Sequence, residues 1–146
     1  MANRYFIRLA YRGEPFHGWQ SQPNAISVQE SIEKALSIVL RNEIKITGAG
    51  RTDTMVNAAM MIAHFDAPTP IEQPENLVRQ LNSILGANIA IYTIFAVHTD
   101  AHARFDATSR TYKYFANPLK SPFLYPLSWK CFDNLDFNLM NKAAQQ

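Results

Sequence analysis

Glycines at positions 48 and 50 are followed at once by Arg51, Thr52 and Asp53. A backbone that can turn sharply and let a ligand come close therefore delivers a cation, a hydroxyl and a carboxylate on consecutive residues. A carboxylate held in such a loop can act as a nucleophile or a base, and an arginine beside it can hold a strand or a phosphate. An ordinary reading is also open. Asp in a loop often only makes a turn or a cap, and Arg two residues before it often makes a surface ion pair of little value. The glycines do not read as a phosphate loop, because Gly48 and Gly50 lie between two strand-like runs and open no helix. A second candidate surface lies further on, where Arg104, Arg110 and Lys113 bracket Tyr112. Cations there would meet phosphates and the ring would stack on a base. The same pattern also suits an edge strand kept soluble by charge, with Tyr112 half in the core.

Near the N-terminus, Tyr5, Ile7, Leu9 and Tyr11 alternate with Phe6, Arg8 and Ala10, which predicts a strand with one strongly apolar face. A long polar-aromatic loop, Phe16-His17-Gly18-Trp19-Gln20-Ser21-Gln22-Pro23-Asn24, follows; it suits a ligand-contacting surface or a loop pinned by its own aromatics. Ser27 and Glu30 have the spacing of a capping box, and Val28, Ile32, Ala35, Leu36 and Val39 fall on one face of a helix over 27–40. Glu43 to Thr47 predicts a strand into the Gly-rich loop. Val56 to Phe65, continuous and largely apolar, predicts a strand out of it, buried on both faces. In that strand His64 reads as a hydrogen-bonded wall residue, not a metal ligand. Pro74 opens a second helix near 75–85 with Leu77, Leu81, Ile84 and Leu85 on one stripe and Gly86 past its end. Ile89 to Val97 is a further strand, and Arg110 to Phe115 alternates as another. The order β-α-β-β-α-β predicts an α+β, ferredoxin-like antiparallel sheet with its helices on one face. The tail from Lys120 carries Pro122, Pro126, Trp129, Phe132 and Phe137 and closes on Asn138 to Gln146, which reads as the first turns of a helix.

The chain has 146 residues, 47% hydrophobic and 12% aromatic, which suits a domain with a real core. Its net charge of +2 permits nucleic-acid binding without requiring it. A single cysteine, Cys131, excludes an internal disulfide framework and fits a reducing compartment. No apolar run approaches the ~20 residues of a membrane span, and the N-terminus lacks the shape of a signal peptide. The expected location is cytoplasmic.

Three blocks, in the same order, resemble the TruA-type tRNA pseudouridine synthases. Phe16-His17-Gly18-Trp19-Gln20, then Gln22-Pro23-Asn24 and Ser27-Val28-Gln29, is similar to the family near its N-terminus. Gly50-Arg51-Thr52-Asp53-Thr54-Met55-Val56-Asn57-Ala58 resembles its catalytic loop, G-R-T-D-A-G-V-H-A, at six of nine positions. Thr54, Met55 and Asn57 depart from that pattern, and if the family's Gly serves a positive φ, Met55 would be strained there. His102-Ala103-Arg104-Phe105, Ala107-Thr108, Arg110 and Tyr112-Lys113-Tyr114 form the third block.

The resemblance implies the N-terminal half of a pseudouridine synthase fold, with residues 1–117 as a ferredoxin-like domain carrying the catalytic loop and 118–146 as the start of a second domain. It implies a homodimeric isomerase with no cofactor and no metal that converts uridine to pseudouridine at positions 38, 39 and 40 of the tRNA anticodon stem-loop. The target must be flipped out of its stack before reaction. Asp53 would then act at C1′ of ribose or at C6 of uracil, or as a base. Arg51 would hold the extruded strand or fill the vacated stack, Tyr112 would cover the flipped uracil, and Thr52, Arg104 and Arg110 would join them in binding the RNA. Family members carry a second half of comparable size, so this chain reads as an N-terminal fragment, expected to show little or no activity alone. Two further readings stand beside the enzyme: a non-catalytic RNA-binding domain or weakened paralogue, and a structural dimerisation domain in which Gly50 to Asp53 is only a turn.

Overall fold

The alternation of Tyr5, Ile7, Leu9 and Tyr11 becomes the central strand of a sheet, β1 (Asn3–Tyr11), with those four side chains buried. The structure is a computed structural model that describes residues 3–131 and 135–146; Phe132 lies outside the described residues. Two units are compact in themselves, Met1–Thr108 and Ser109–Gln146.

In the first unit β1 is followed by α1 (Val28–Leu40), β2 (Ile46–Gly48), β3 (Ala58–Ala67), α2 (Pro74–Ile84) and β4 (Ile89–Ala96). The strands lie in the order β2-β3-β1-β4, with every neighbouring pair antiparallel. This is the expected ferredoxin-like arrangement. Met61, Ala63, Phe65 and Ala67 of β3 and Ile89, Ile91 and Ile94 of β4 join the β1 residues on the core face. A register shift between Arg8 and Leu9 lets Ile91 and Ile94 both point inward despite their odd spacing. Val28, Ile32, Ala35 and Leu36 of α1 and Leu77 and Leu81 of α2 close the core. Each large aliphatic side chain buried this way contributes about 1.5–3 kcal/mol.

The helix ends follow local chemistry. Ser27 Oγ accepts the Glu30 amide at 3.1 Å, as the capping spacing predicts. The return arm of the box does not form; the Glu30 carboxylate pairs with Lys34 at 2.6 Å instead. Gly86, just past α2, has φ +48°. Ile84, on the predicted stripe but at the last residue of α2, is 45% exposed.

Three other expectations need correction. β3 is not buried on both faces: Met60 is 68% exposed, since the helices cover only one side of the sheet. β2 starts at Ile46, not Glu43, because Glu33 of α1, itself buried, accepts the Ile46 amide at 3.0 Å and sets where the strand begins. Arg110 to Phe115 carries no regular structure. Alternation supplies two faces but no partner, and a strand needs a neighbour to satisfy its amides. Among the described residues of Ser109–Gln146, only β5 (Ala116–Asn117) pairs, in parallel, with β6 (Trp129–Lys130). The tail forms α3 (Phe137–Ala144), capped by Asp136, whose carboxylate accepts the Leu139 amide at 2.9 Å.

Candidate active site

Residues 49–57 bridge the edge strand β2 to β3. The Ala49 amide donates to the Ile62 carbonyl at 2.7 Å, so the ladder runs one residue past β2 before the loop departs. Asp53-Thr54-Met55-Val56 is then a turn closed by the Val56 amide on the Asp53 carbonyl at 3.2 Å. Its third residue, Met55, has φ +73°. Turns of this kind call for Gly or Asn there, and another side chain in that region costs about 1–2 kcal/mol. The strain expected of Met55 is thus present.

The polar-aromatic loop before α1 holds this turn in place. Trp19 is 2% exposed and Phe16 packs on the core, so the loop is pinned by its own aromatics. The Trp19 amide donates to the Thr52 carbonyl at 3.0 Å. Gly18, at φ +77°, lets the chains come this close, since a Cβ there would fall 2.6 Å from the Thr52 carbonyl oxygen. Gly48 makes room in the same way, but for protein: a Cβ at Gly48 would lie 2.6 Å from the Trp19 ring. The space that a glycine could have opened for a ligand is filled by indole. Behind the loop, the Val28 and Gln29 amides of α1 donate to the Gly18 and Trp19 carbonyls at 3.2 and 3.0 Å. The Tyr11 hydroxyl lies 2.7 Å from Thr52 Oγ1.

Thr52 is therefore held at both its carbonyl and its hydroxyl, while Arg51 and Asp53 on either side are exposed. Among the described residues no hydrogen bond or ion pair engages the Asp53 carboxylate or the Arg51 guanidinium. The surface ion pair between them, open on sequence grounds, does not form. The arrangement is a carboxylate and a cation displayed to solvent from a backbone fixed on both sides, the geometry a pre-organised reactive group needs.

Arg104 is exposed on a segment laid over the outer face of the sheet. That segment is fastened by the Ala103 amide on His64 Nδ1 at 3.1 Å and by Arg4, which forms a two-point ion pair with Asp66 (2.8 Å at both contacts) and reaches the Ala101 carbonyl at 3.1 Å. His64 is the hydrogen-bonded wall residue expected of it. Burial, then the nearby Arg4 and His102, push its pKa below the ordinary value, while the bond to Arg4 holds the Asp66 carboxyl below its own. His64 stands six residues along β3 from Ala58, roughly 20 Å at 3.3 Å per residue, so this anchor is remote from the Asp53 end of the strand. Arg110 and Tyr112 belong to the other unit; both are exposed, Tyr112 at 72%. Tyr11, Trp19 and Asn57 were not legible as site residues. Tyr11 reads as core by its alternation, and Trp19 as one of the aromatics that could pin its own loop.

An α+β, ferredoxin-like domain that presents Arg51 and Asp53 from such a loop narrows the class of protein. A sequence model of the family described as tRNA pseudouridine synthase matches residues 9–106, and the chain belongs to that family. It is 52% identical over 142 residues to tRNA pseudouridine synthase A of Parabacteroides distasonis, a match that covers 97% of this chain and 56% of the relative. The enzyme of the same name from Bacteroides fragilis is 48% identical over 141 residues, with 97% and 56% covered. That of Aquifex aeolicus is 39% identical over 128 residues, with 86% and 53% covered. The chain thus spans about half the length of the relatives it matches.

Proposed function

We propose that the chain supplies the N-terminal, catalytic-loop part of a tRNA pseudouridine synthase in which Asp53 is the catalytic residue. The observation that carries this reading is the exposed Asp53 carboxylate, uncommitted among the described residues, on a loop whose neighbouring Thr52 is fixed twice. The reaction is an isomerisation within one nucleotide. The N1–C1′ bond breaks, a C5–C1′ bond forms, the C5 proton leaves to solvent and N1 gains one. Asp53 takes part at C1′, at C6 or as the base. Arg51 holds the extruded strand, Thr52 carries the two residues that flank it, and Tyr112 stacks on the flipped uracil. Arg104 and Arg110 meet phosphates. The substrate is the anticodon stem-loop of tRNA at positions 38, 39 and 40. The enzyme works in the cytoplasm as a homodimer, and residues 118–146 open its second domain.

The test is release of tritium from C5-labelled uridine in tRNA by the complete protein. Release that matches pseudouridine formed is the expected result. Binding of an anticodon stem-loop without release would establish the non-catalytic RNA-binding reading instead.

A further inference from the structure

Asn57 Oδ1 accepts the Gly13 amide at 2.8 Å. The last main-chain pair between β1 and β3 is Tyr11 with Ala58. Gly13 and Asn57 lie just beyond it, so a side-chain carbonyl continues the pairing where the ladder has ended. The bond falls two residues after Met55, the one residue of the Asp53 turn with positive φ. Position 57 is also one of those at which this chain departs from the G-R-T-D-A-G-V-H-A pattern, and so is 55.

A turn with an ill-suited third residue lowers its energy by relaxing, and it can relax if either end is loose. The leading end is held by Trp19 and Tyr11 through Thr52. At the trailing end, before β3 begins, the side-chain contact is Asn57 to Gly13. We infer that Asn57 is a positioning residue for Asp53: by anchoring the exit of a strained turn to the end of β1, it fixes the direction in which the carboxylate is displayed. Asn57 does not act on the substrate. It acts through the backbone of residues 53–57, and small misplacements of a reacting group are costly in rate. The inference rests on the reading of Asp53 as the catalytic residue.

The experiment compares Asn57→Leu, of similar size with no acceptor, and Asn57→Asp, which keeps an acceptor oxygen, with the parent. In the 146-residue chain, exchange of the Gly13 amide with solvent reports the bond. Asn57→Leu is expected to lower its protection about tenfold or more, with Asn57→Asp near the parent. In the complete protein, Asn57→Leu is expected to lower kcat about tenfold or more with KM for tRNA within about twofold, and Asn57→Asp to stay within about threefold of the parent. Adding Met55→Gly to Asn57→Leu is expected to recover kcat about threefold or more, because the relieved turn no longer needs its anchor. A general loss of folding would lower the melting temperature and the amount of folded protein, so kcat is taken per folded molecule, with the folded fraction of each variant read from its unfolding transition. An active parent whose kcat is unmoved by Asn57→Leu, or whose loss is the same in Asn57→Asp, overturns the role of Asn57 alone. A parent that releases no tritium overturns the catalytic reading and this inference with it.

Discussion

The Trp19 amide donates to the Thr52 carbonyl at 3.0 Å, so the residue before Asp53 is fixed by a tryptophan that is itself 2% exposed. The candidate site is thus tied to the core through the loop that precedes α1 as well as through the strands that flank it. Trp19→Ala should cost about 3–5 kcal/mol of stability, the usual range for emptying an aromatic site. Denaturant unfolding of the chain measures this, and a loss below about 1 kcal/mol would show that the loop is not held by the indole.

Asp53→Asn in the complete protein should abolish pseudouridine formation and leave tRNA binding largely intact. The two side chains are nearly the same size, and both suit turns, so the loop keeps its shape. Only the carboxylate is removed. Activity within about tenfold of the parent, a barrier change of ~1.4 kcal/mol, would sink Asp53 as the catalytic residue.

Met55→Gly should stabilise the chain by up to about 1 kcal/mol, the relief at φ +73° being partly offset by the greater freedom of glycine in the unfolded chain. Thermal unfolding would register a rise of a few degrees (roughly 4–8 °C per kcal/mol for a domain of this size). A lower melting temperature would mean that the Met55 side chain contributes more contact than its backbone costs.

Acid should weaken the fold in two stages. His64 accepts the Ala103 amide at Nδ1 and has a depressed pKa through burial first and Arg4 second. The unfolded chain therefore takes up that proton first. The stability from neutral His64 is complete above its unfolded value of about 6.5 and is lost as pH falls towards its folded value. Asp66, depressed by its bond to Arg4, adds a second loss at lower pH, as the solution passes below 3.8 towards its folded value. His64→Gln should flatten the first stage in pH-dependent unfolding while leaving the second. An unchanged first stage would assign it to another group.

Arg51→Ala and Arg104→Ala in the complete protein should each weaken tRNA binding and reduce the slope of log affinity against log salt by about 1. Titrations of an anticodon stem-loop at several salt concentrations supply the slopes. Identical slopes for parent and both variants would show that neither arginine meets a phosphate.

Much of the fold was legible because a period is a local property. The two-residue alternation of β1, the stripes of α1 and α2 and the Ser27 cap each declare themselves within a dozen residues, and their order implies the sheet. What escaped notice depends on partners distant in the chain. Alternation from Arg110 to Phe115 could not reveal that these residues take no strand pairing among the described residues of Ser109–Gln146. The apolar run of β3 could not reveal that one face stays partly open. Nothing in the sequence around Glu33 marks it as the buried acceptor of the Ile46 amide, thirteen residues on. At the site, Arg51, Thr52 and Asp53 stood out by type and spacing. The residues that hold them did not, because Tyr11 and Trp19 act through one hydroxyl and one main-chain amide inside side chains that otherwise read as core, and Asn57 acts across 44 residues of sequence.

The first turn of α1 has a further consequence. Its amides at Val28 and Gln29 donate to the Gly18 and Trp19 carbonyls, and the amide of Glu30 donates to Ser27 Oγ. The positive end of a helix, equivalent to about half an elementary charge, is a ready seat for phosphate when its N–H groups are free. Here it is fully engaged by neutral oxygens of its own chain. Any phosphate met at this end of α1 would have to be held by arginine or lysine side chains instead, and a contact of that kind at the surface is screened by salt.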